Sequence, residues 1–152
     1  LVKSSAASDV YKRQEYYNLE TSGKKALVIG RSRLVGMPQV IMFGSKGIDC
    51  TVTLAHSRTK NLDDLISESE IVVPAIGVPG IINSKNVKKD AILLDVGISS
   101  DDKGIHGDVD FDSVDGIAKA VTPMPGGTGP MTVACLLENT MKAAELQGII
   151  SS

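Results

Sequence analysis

Tryptophan is absent from this 152-residue chain, and aromatic residues make up only 3% of it. A surface that stacks nucleic-acid bases needs several exposed rings, so such a platform is excluded. Neither sign of charge dominates: 16 Lys and Arg against 18 Asp and Glu leave a formal net charge of −2. A broad basic face for neutralising phosphates is therefore lacking, which argues against nucleic acid as a partner. Two cysteines, Cys50 and Cys135, are too few for a disulfide framework and do not have metal-ligand spacing. The expected setting is a reducing compartment, the cytoplasm. No apolar run approaches the roughly 18 residues that a membrane-crossing helix needs.

Apolar residues are plentiful, at 42% against 22% charged, which is enough for a packed core in one domain. The opening LVKSSAASDVYKRQ begins with Leu1 and carries mixed charge without an apolar central region. It is not a secretory signal. It reads as an adaptor-derived tail, residues 1–14, joined to a domain spanning residues 15–152. All three tyrosines (Tyr11, Tyr16, Tyr17) lie in or beside that tail, and no chemistry is assigned to them.

From Gly23 onward short apolar runs alternate with helix-like segments. Lys25–Ile29, Cys50–Leu54, Ile71–Ile76, Ala91–Val96 and Lys119–Thr122 read as strands, the first buried on both faces. Pro74 removes a ladder donor, which places it at a sheet edge or a strand end. Pro38–Lys46, Asn61–Ser69 and Pro130–Gln147 read as helices, with Pro38 in a first turn and Asn61 at a cap position. The last carries apolar residues at Val133, Leu136, Leu137, Met141, Ala144 and Leu146. This alternation predicts an α/β fold of Rossmann type: a doubly wound, mainly parallel sheet with helices on both faces.

Four segments carry candidate chemistry. GRSRLVG, Gly30 to Gly36, falls between the first strand and the first helix. At that turn backbone N–H groups and the helix dipole converge on a pyrophosphate. Gly30 allows the tight turn and Gly36 close helix packing, while Ser32 stands at the usual second glycine, where its hydroxyl can donate to a phosphate. The alternative is an ordinary strand-to-helix turn. No G-K-[ST] follows, so this is not a nucleoside-triphosphate loop.

At the end of the second strand stand His56, Ser57 and Arg58, where an NAD site would place an acid. A hydroxyl and a guanidinium there, with Arg31 across the pocket, suit the 2′-phosphate of NADP. Asp108, Asp110 and Asp112 alternate like the opening of a calcium loop, but Ser113 and Lys119 occupy the positions of the required Gly and Glu. They read instead as an extended segment with a helix cap at Asp110 or Asp112. Finally, Thr122–Thr132 holds three glycines and three prolines at a strand's carboxyl end. It is either a ligand-facing loop or a rigid connector that caps the last helix.

Taken together, GKKALVIGRSRLVGMP, TVTLAHSRTKNL, IVVPAIGVPG, LLDVGI, GDVDF and TPMPGGTGPMTVACLLENT, over about Gly23 to Gln147, resemble one family. It is the C-terminal dinucleotide-binding domain of bifunctional methylenetetrahydrofolate dehydrogenase/methenyltetrahydrofolate cyclohydrolase. The resemblance implies oxidation of 5,10-methylene-tetrahydrofolate with NADP (NAD in some members), then hydrolysis to 10-formyl-tetrahydrofolate. It implies cofactor contacts from Gly30, Arg31, Ser32, Ser57 and Ile98, with Arg31 and Ser57 at the 2′-phosphate. It implies a substrate cleft lined by Gly126, Gly127 and Thr132, and a homodimer paired through this domain. Ser99 departs from the Asn common in the family. The family's catalytic Tyr and Lys lie in an N-terminal folate domain, and no Tyr-x-x-x-Lys occurs here. No catalytic residue is therefore carried over, and the chain alone is expected to bind cofactor without turnover. Two other readings stay open: a non-enzymatic dinucleotide sensor, and the cofactor domain of another dehydrogenase. The PGGTGPMT block speaks against the second.

Overall fold

The computed structural model describes residues 19–102, 104–124 and 126–147. The proposed tail and all three tyrosines lie outside the described residues. The chain builds a five-stranded sheet from β1 (Lys25–Ile29), β2 (Thr51–Ala55), β3 (Ile71–Pro74), β4 (Ile92–Leu93) and β7 (Ala120–Val121). Their order is β2-β1-β3-β4-β7, and every pairing is parallel. The chain runs from β1 outward to β2, then crosses back to β3 on the other side of β1. The direction of winding therefore reverses at the carboxyl ends of β1 and β3, where open α/β sheets bind ligands.

The alternation of side chains along β1 feeds two cores. Ala26 and Val28 join Phe43 of α1 (Gly36–Phe43), with Ile71, Val73 and Leu94. Leu27 and Ile29 join Ile66 of α2 (Leu62–Glu68) and Val114 of α3 (Phe111–Val114), with Val72 and Leu93. Because β1 and β3 are covered on both faces, their sequences are continuously apolar rather than alternating. Pro74 ends β3, a central strand rather than an edge, and its carbonyl still accepts from Val96 N–H at 3.1 Å.

Three local expectations are corrected. Asn61 precedes α2 but adopts φ +55° and gives no side-chain cap. Its side chain cannot reach the first-turn amides from that left-handed geometry. A short antiparallel hairpin, β5 (Ser99–Asp101) and β6 (Gly104–His106), was not anticipated. Its strands are mostly polar and exposed, so no apolar period announces them. The last helix, α4 (Thr128–Leu146), begins two residues before Pro130 and leaves Val133, Leu136, Leu137 and Met141 each more than half exposed, at 55–64%. Periodicity identifies an apolar helix face, but not the surface that covers it.

One core residue is out of character. Gln39 of α1 is fully buried, and neither its Nε2 nor its Oε1 has a hydrogen-bond partner among the described residues. A buried amide without partners costs about 1–3 kcal/mol. Gln39→Leu, of similar volume, is expected to raise the unfolding free energy by about 1–2 kcal/mol in a urea titration. A lower midpoint for the variant would show that the amide has a partner in solution.

Candidate functional site

The site begins at the end of β1. Gly30 has φ +118°, a conformation that only glycine adopts at little cost. A Cβ there would sit 2.6 Å from the Ala75 carbonyl oxygen and 3.1 Å from Cγ2 of Ile76. The turn is thus pressed against the end of β3. A Cβ on Gly36, the first residue of α1, would collide with the Gly30 carbonyl oxygen. Both glycines therefore permit the close backbone approach expected from their spacing.

Ser32 organises the turn between them. Its Oγ accepts from the Val35 N–H at 3.1 Å and the Gly36 N–H at 3.4 Å, and its carbonyl accepts from Met37 N–H at 3.0 Å. These bonds cap α1 from outside the helix, which is why it starts two residues before Pro38. A hydroxyl has two acceptor lone pairs and one donor, so the Ser32 O–H remains available to an anion. Arg31, Ser32 and Arg33 are all exposed. A phosphate brought to this turn meets the start of a helix, a hydroxyl donor and guanidinium groups.

The end of β2 is tied to the same turn by a 2.9 Å bond from Gly30 N–H to the Ala55 carbonyl. Beyond it, His56 N–H donates to Thr59 Oγ1 at 2.9 Å, and Arg58 N–H donates to His56 Nδ1 at 3.2 Å. This tight turn leaves Ser57 and Arg58 exposed at the rim. Among the described residues no acid occupies this strand end between Ala55 and Lys60.

On the other side of β1, Gly77 (φ +70°) follows β3, and a Cβ there would lie 3.2 Å from the Ile98 carbonyl oxygen. Ile98 is 63% exposed. The structure thus links Gly30, Ile76, Gly77 and Ile98 along one rim. Gly126, Gly127 and Thr132 stand apart, at the same end of the sheet but beyond its edge strand β7. Gly126 has φ +91°, and a Cβ on buried Gly127 would strike the Pro123 carbonyl. Thr132 is bound within its own helix, its hydroxyl donating to the Thr128 carbonyl at 3.0 Å. A cavity of about 580 Å³ opens between the segment that follows β3, the hairpin and this loop, with Pro79, His106, Phe111, Thr122 and Met124 in its wall. The turn at Gly30 is not in that wall; Gly30 is buried and Arg31 to Leu34 are exposed.

Sequence reasoning missed two residues beneath the rim. Asp95, at the end of β4, is 2% exposed and Asp108 is fully buried. Asp95 accepts through Oδ1 from the N–H groups of Gly97 (3.0 Å) and Asp108 (3.1 Å), and through Oδ2 from Val109 N–H (2.9 Å). Its own N–H donates to Thr122 Oγ1 at 2.8 Å, joining β4 to the end of β7. Burial pushes the Asp95 carboxyl above the ordinary carboxylate value. The three N–H groups pull it down, and the Asp108 charge pushes it further up. A readable signal was present: an acid inside the apolar run LLDVG, and another directly after Gly107. Asp110, by contrast, caps α3 as expected, accepting from Ser113 N–H at 3.3 Å.

A parallel sheet that reverses its winding beside a glycine turn of this build has the architecture of a dinucleotide-binding domain. The sequence profile described as tetrahydrofolate dehydrogenase/cyclohydrolase, NAD(P)-binding domain, matches residues 4–148. The chain belongs to that family. It is 52% identical over 131 residues to the bifunctional protein FolD of Lactococcus lactis subsp. cremoris, a match covering 84% of this chain and 45% of that protein. It resembles the structure of the bifunctional methylenetetrahydrofolate dehydrogenase/cyclohydrolase FolD from Campylobacter jejuni, with TM-score 0.88 and 38% identity, covering 93% of this chain and 50% of that one. The Trypanosoma brucei dehydrogenase-cyclohydrolase, whose structure holds NADP and an inhibitor, superposes with TM-score 0.83 at 36% identity, over 90% of this chain and 48% of that one. The chain therefore spans about half the length of the relatives it matches. Among the described residues no helix is long and apolar enough to cross a membrane.

Proposed function

We propose that this chain is the NADP-binding half of an enzyme that oxidises 5,10-methylene-tetrahydrofolate and hydrolyses the methenyl product to 10-formyl-tetrahydrofolate. The observation that carries the cofactor part is the paired approach of Gly30 and Gly36, which opens a helix start to an anion between two basic, hydroxyl-bearing turns. The pyrophosphate sits on Gly30, Arg31 and Ser32. The adenine ribose then lies over the end of β2, with its 2′-phosphate between Arg31 and Ser57 and with Arg58 adjacent. The nicotinamide half extends the opposite way, over Ile76, Gly77 and Ile98, along the close approaches that lead from Gly30 away from β2.

Hydride transfer requires the donor carbon within van der Waals reach of the nicotinamide, and this domain supplies the nicotinamide side alone. Gly126, Gly127 and Thr132 border the space in which a folate carried by a partner domain would meet it. No residue here is assigned to the proton transfers of the hydrolytic step. Residues 15–152 form the cofactor domain in this reading. Pairing of two copies through this domain and a cytoplasmic setting complete the reading; the low cysteine count, two, is in keeping with a reducing compartment.

Titration of the chain with NADP, followed by amide NMR, tests the cofactor part. Shifts should concentrate at Gly30 to Gly36 and at Ser57, with NADP binding tighter than NAD and no oxidation of methylene-tetrahydrofolate by this chain alone. Unmoved amides at Gly30 to Gly36 in a folded sample would overturn the cofactor reading. Turnover by the 152-residue chain would overturn the division of labour.

A further inference from the structure

We propose that Asp108 is a positioning residue for the nicotinamide half of the cofactor, an inference that rests on the dinucleotide site proposed above. Its Oδ2 accepts from the N–H groups of Ile76 at 2.8 Å and Gly77 at 3.1 Å. Those two residues form the turn that leaves β3, and both reach the site. Ile76 lies in contact range of Gly30, and Gly77 lies in contact range of the Ile98 carbonyl. A single carboxylate oxygen therefore holds the element joining the pyrophosphate turn to the nicotinamide rim.

The placement is specific to an acid. Asp108 is fully buried, and among the described residues no cation pairs with it; the N–H groups of Ile76 and Gly77 face its Oδ2, and the buried Asp95 carboxyl lies near enough to repel it. Burying an unpaired carboxylate is costly, and charge-assisted bonds to two N–H groups are what offset it. Its other oxygen, Oδ1, has no partner among the described residues. Space for the group is made by Gly97, whose Cβ would collide with the Asp108 carboxyl. Asp95 in turn accepts from the Asp108 N–H and fixes that residue's backbone to β4. Asp108 lies beneath the turn whose residues Ile76 and Gly77 approach Gly30 and Ile98.

The test compares two probes on the 152-residue chain: NADP, and 2′,5′-ADP, which has the adenine, the 2′-phosphate and no nicotinamide. Asp108→Ala should weaken NADP about tenfold, because two N–H groups lose their acceptor and the β3 turn loosens. It should leave 2′,5′-ADP within about twofold, since Arg31 and Ser57 are untouched. Asp108→Asn keeps an acceptor oxygen without its charge and should fall between, with a two- to threefold loss for NADP alone. Equal losses for both probes, or none for NADP, would overturn the positioning role. If Asp108→Ala does not fold, the NADP to 2′,5′-ADP ratio of Asp108→Asn decides, and an unchanged ratio overturns the proposal. Failure of the unsubstituted chain to bind either probe would instead overturn the dinucleotide site itself.

Discussion

Gly30→Ala is expected to abolish measurable cofactor binding and to lower the unfolding free energy by about 2–6 kcal/mol. Two independent penalties act at this position. At φ +118° any L-residue is strained, at about 1–3 kcal/mol. The new Cβ also meets the Ala75 carbonyl oxygen at 2.6 Å, so backbone must move, an overpacking cost of similar size. Relief can come only by separating β1 from β3, which form the floor of the site. A control isolates the second penalty: Gly116 has φ +73° with nothing within 4 Å of its Cβ position. Gly116→Ala should cost only about 1 kcal/mol. Urea unfolding of both variants, alongside NADP titration, measures the difference. Gly30→Ala with stability within 1 kcal/mol of Gly116→Ala would show that the close approach of the two strand ends is not maintained in solution.

That comparison also shows where sequence carries information and where it does not. The KALVI run marks β1 to the residue, because its last four residues are buried on both faces and must be apolar, with exposed Lys25 at the strand's start. The glycines at 30 and 36 are legible for a similar reason: their role depends on lacking a side chain, and no other residue type substitutes. The end of β2 is legible through an absence, the missing acid. The ends of β3 and β4 are harder. Ala91–Val96 reads as a six-residue strand, yet only Ile92 and Leu93 pair on both sides in the regular ladder. Beyond Leu93 the bonds to β3 continue, from Leu94 N–H to the Val72 carbonyl and from Val96 N–H to the Pro74 carbonyl, while on the β7 side Asp95 N–H turns to the Thr122 hydroxyl. The bonds between Asp95 and Thr122, between Asp95 and Asp108, and between Asp108 and Ile76 join residues 13 to 32 positions apart, and no local period records them. The triad Asp108, Asp110, Asp112 illustrates the limit. One member caps a helix within three residues and is readable; another is fully buried against a turn 31–32 residues away and is not. The glycines that make room for the two buried acids, Gly97 and Gly107, are visible as glycines only, since what fills their space comes from another segment.

Arg31→Ala should weaken NADP relative to NAD by about 5- to 150-fold, equivalent to roughly 1–3 kcal/mol for a hydrogen-bonded charge. The two cofactors differ only in the 2′-phosphate, so any contribution Arg31 makes to the shared pyrophosphate cancels in the ratio. Three features favour a large ratio. The residue directly follows the strained Gly30, so its backbone is fixed where the pyrophosphate turn begins. No acid between Ala55 and Lys60 competes for its charge. A guanidinium can also meet a phosphate with two parallel N–H donors, which lysine cannot. Exposure limits the effect: Arg31 lies at an open rim, where salt screens the interaction, so the ratio should shrink as ionic strength rises from 10 mM toward 1 M, with Debye lengths of about 30 and 3 Å. Ser57→Ala, which removes an uncharged donor, should cost NADP only about 0.5–1.5 kcal/mol and be nearly insensitive to salt. Parallel calorimetric titrations of NADP and NAD at two ionic strengths separate these cases. Equal losses for both cofactors would move Arg31 to the pyrophosphate and leave Arg58, across the turn, as the charge that selects the cofactor.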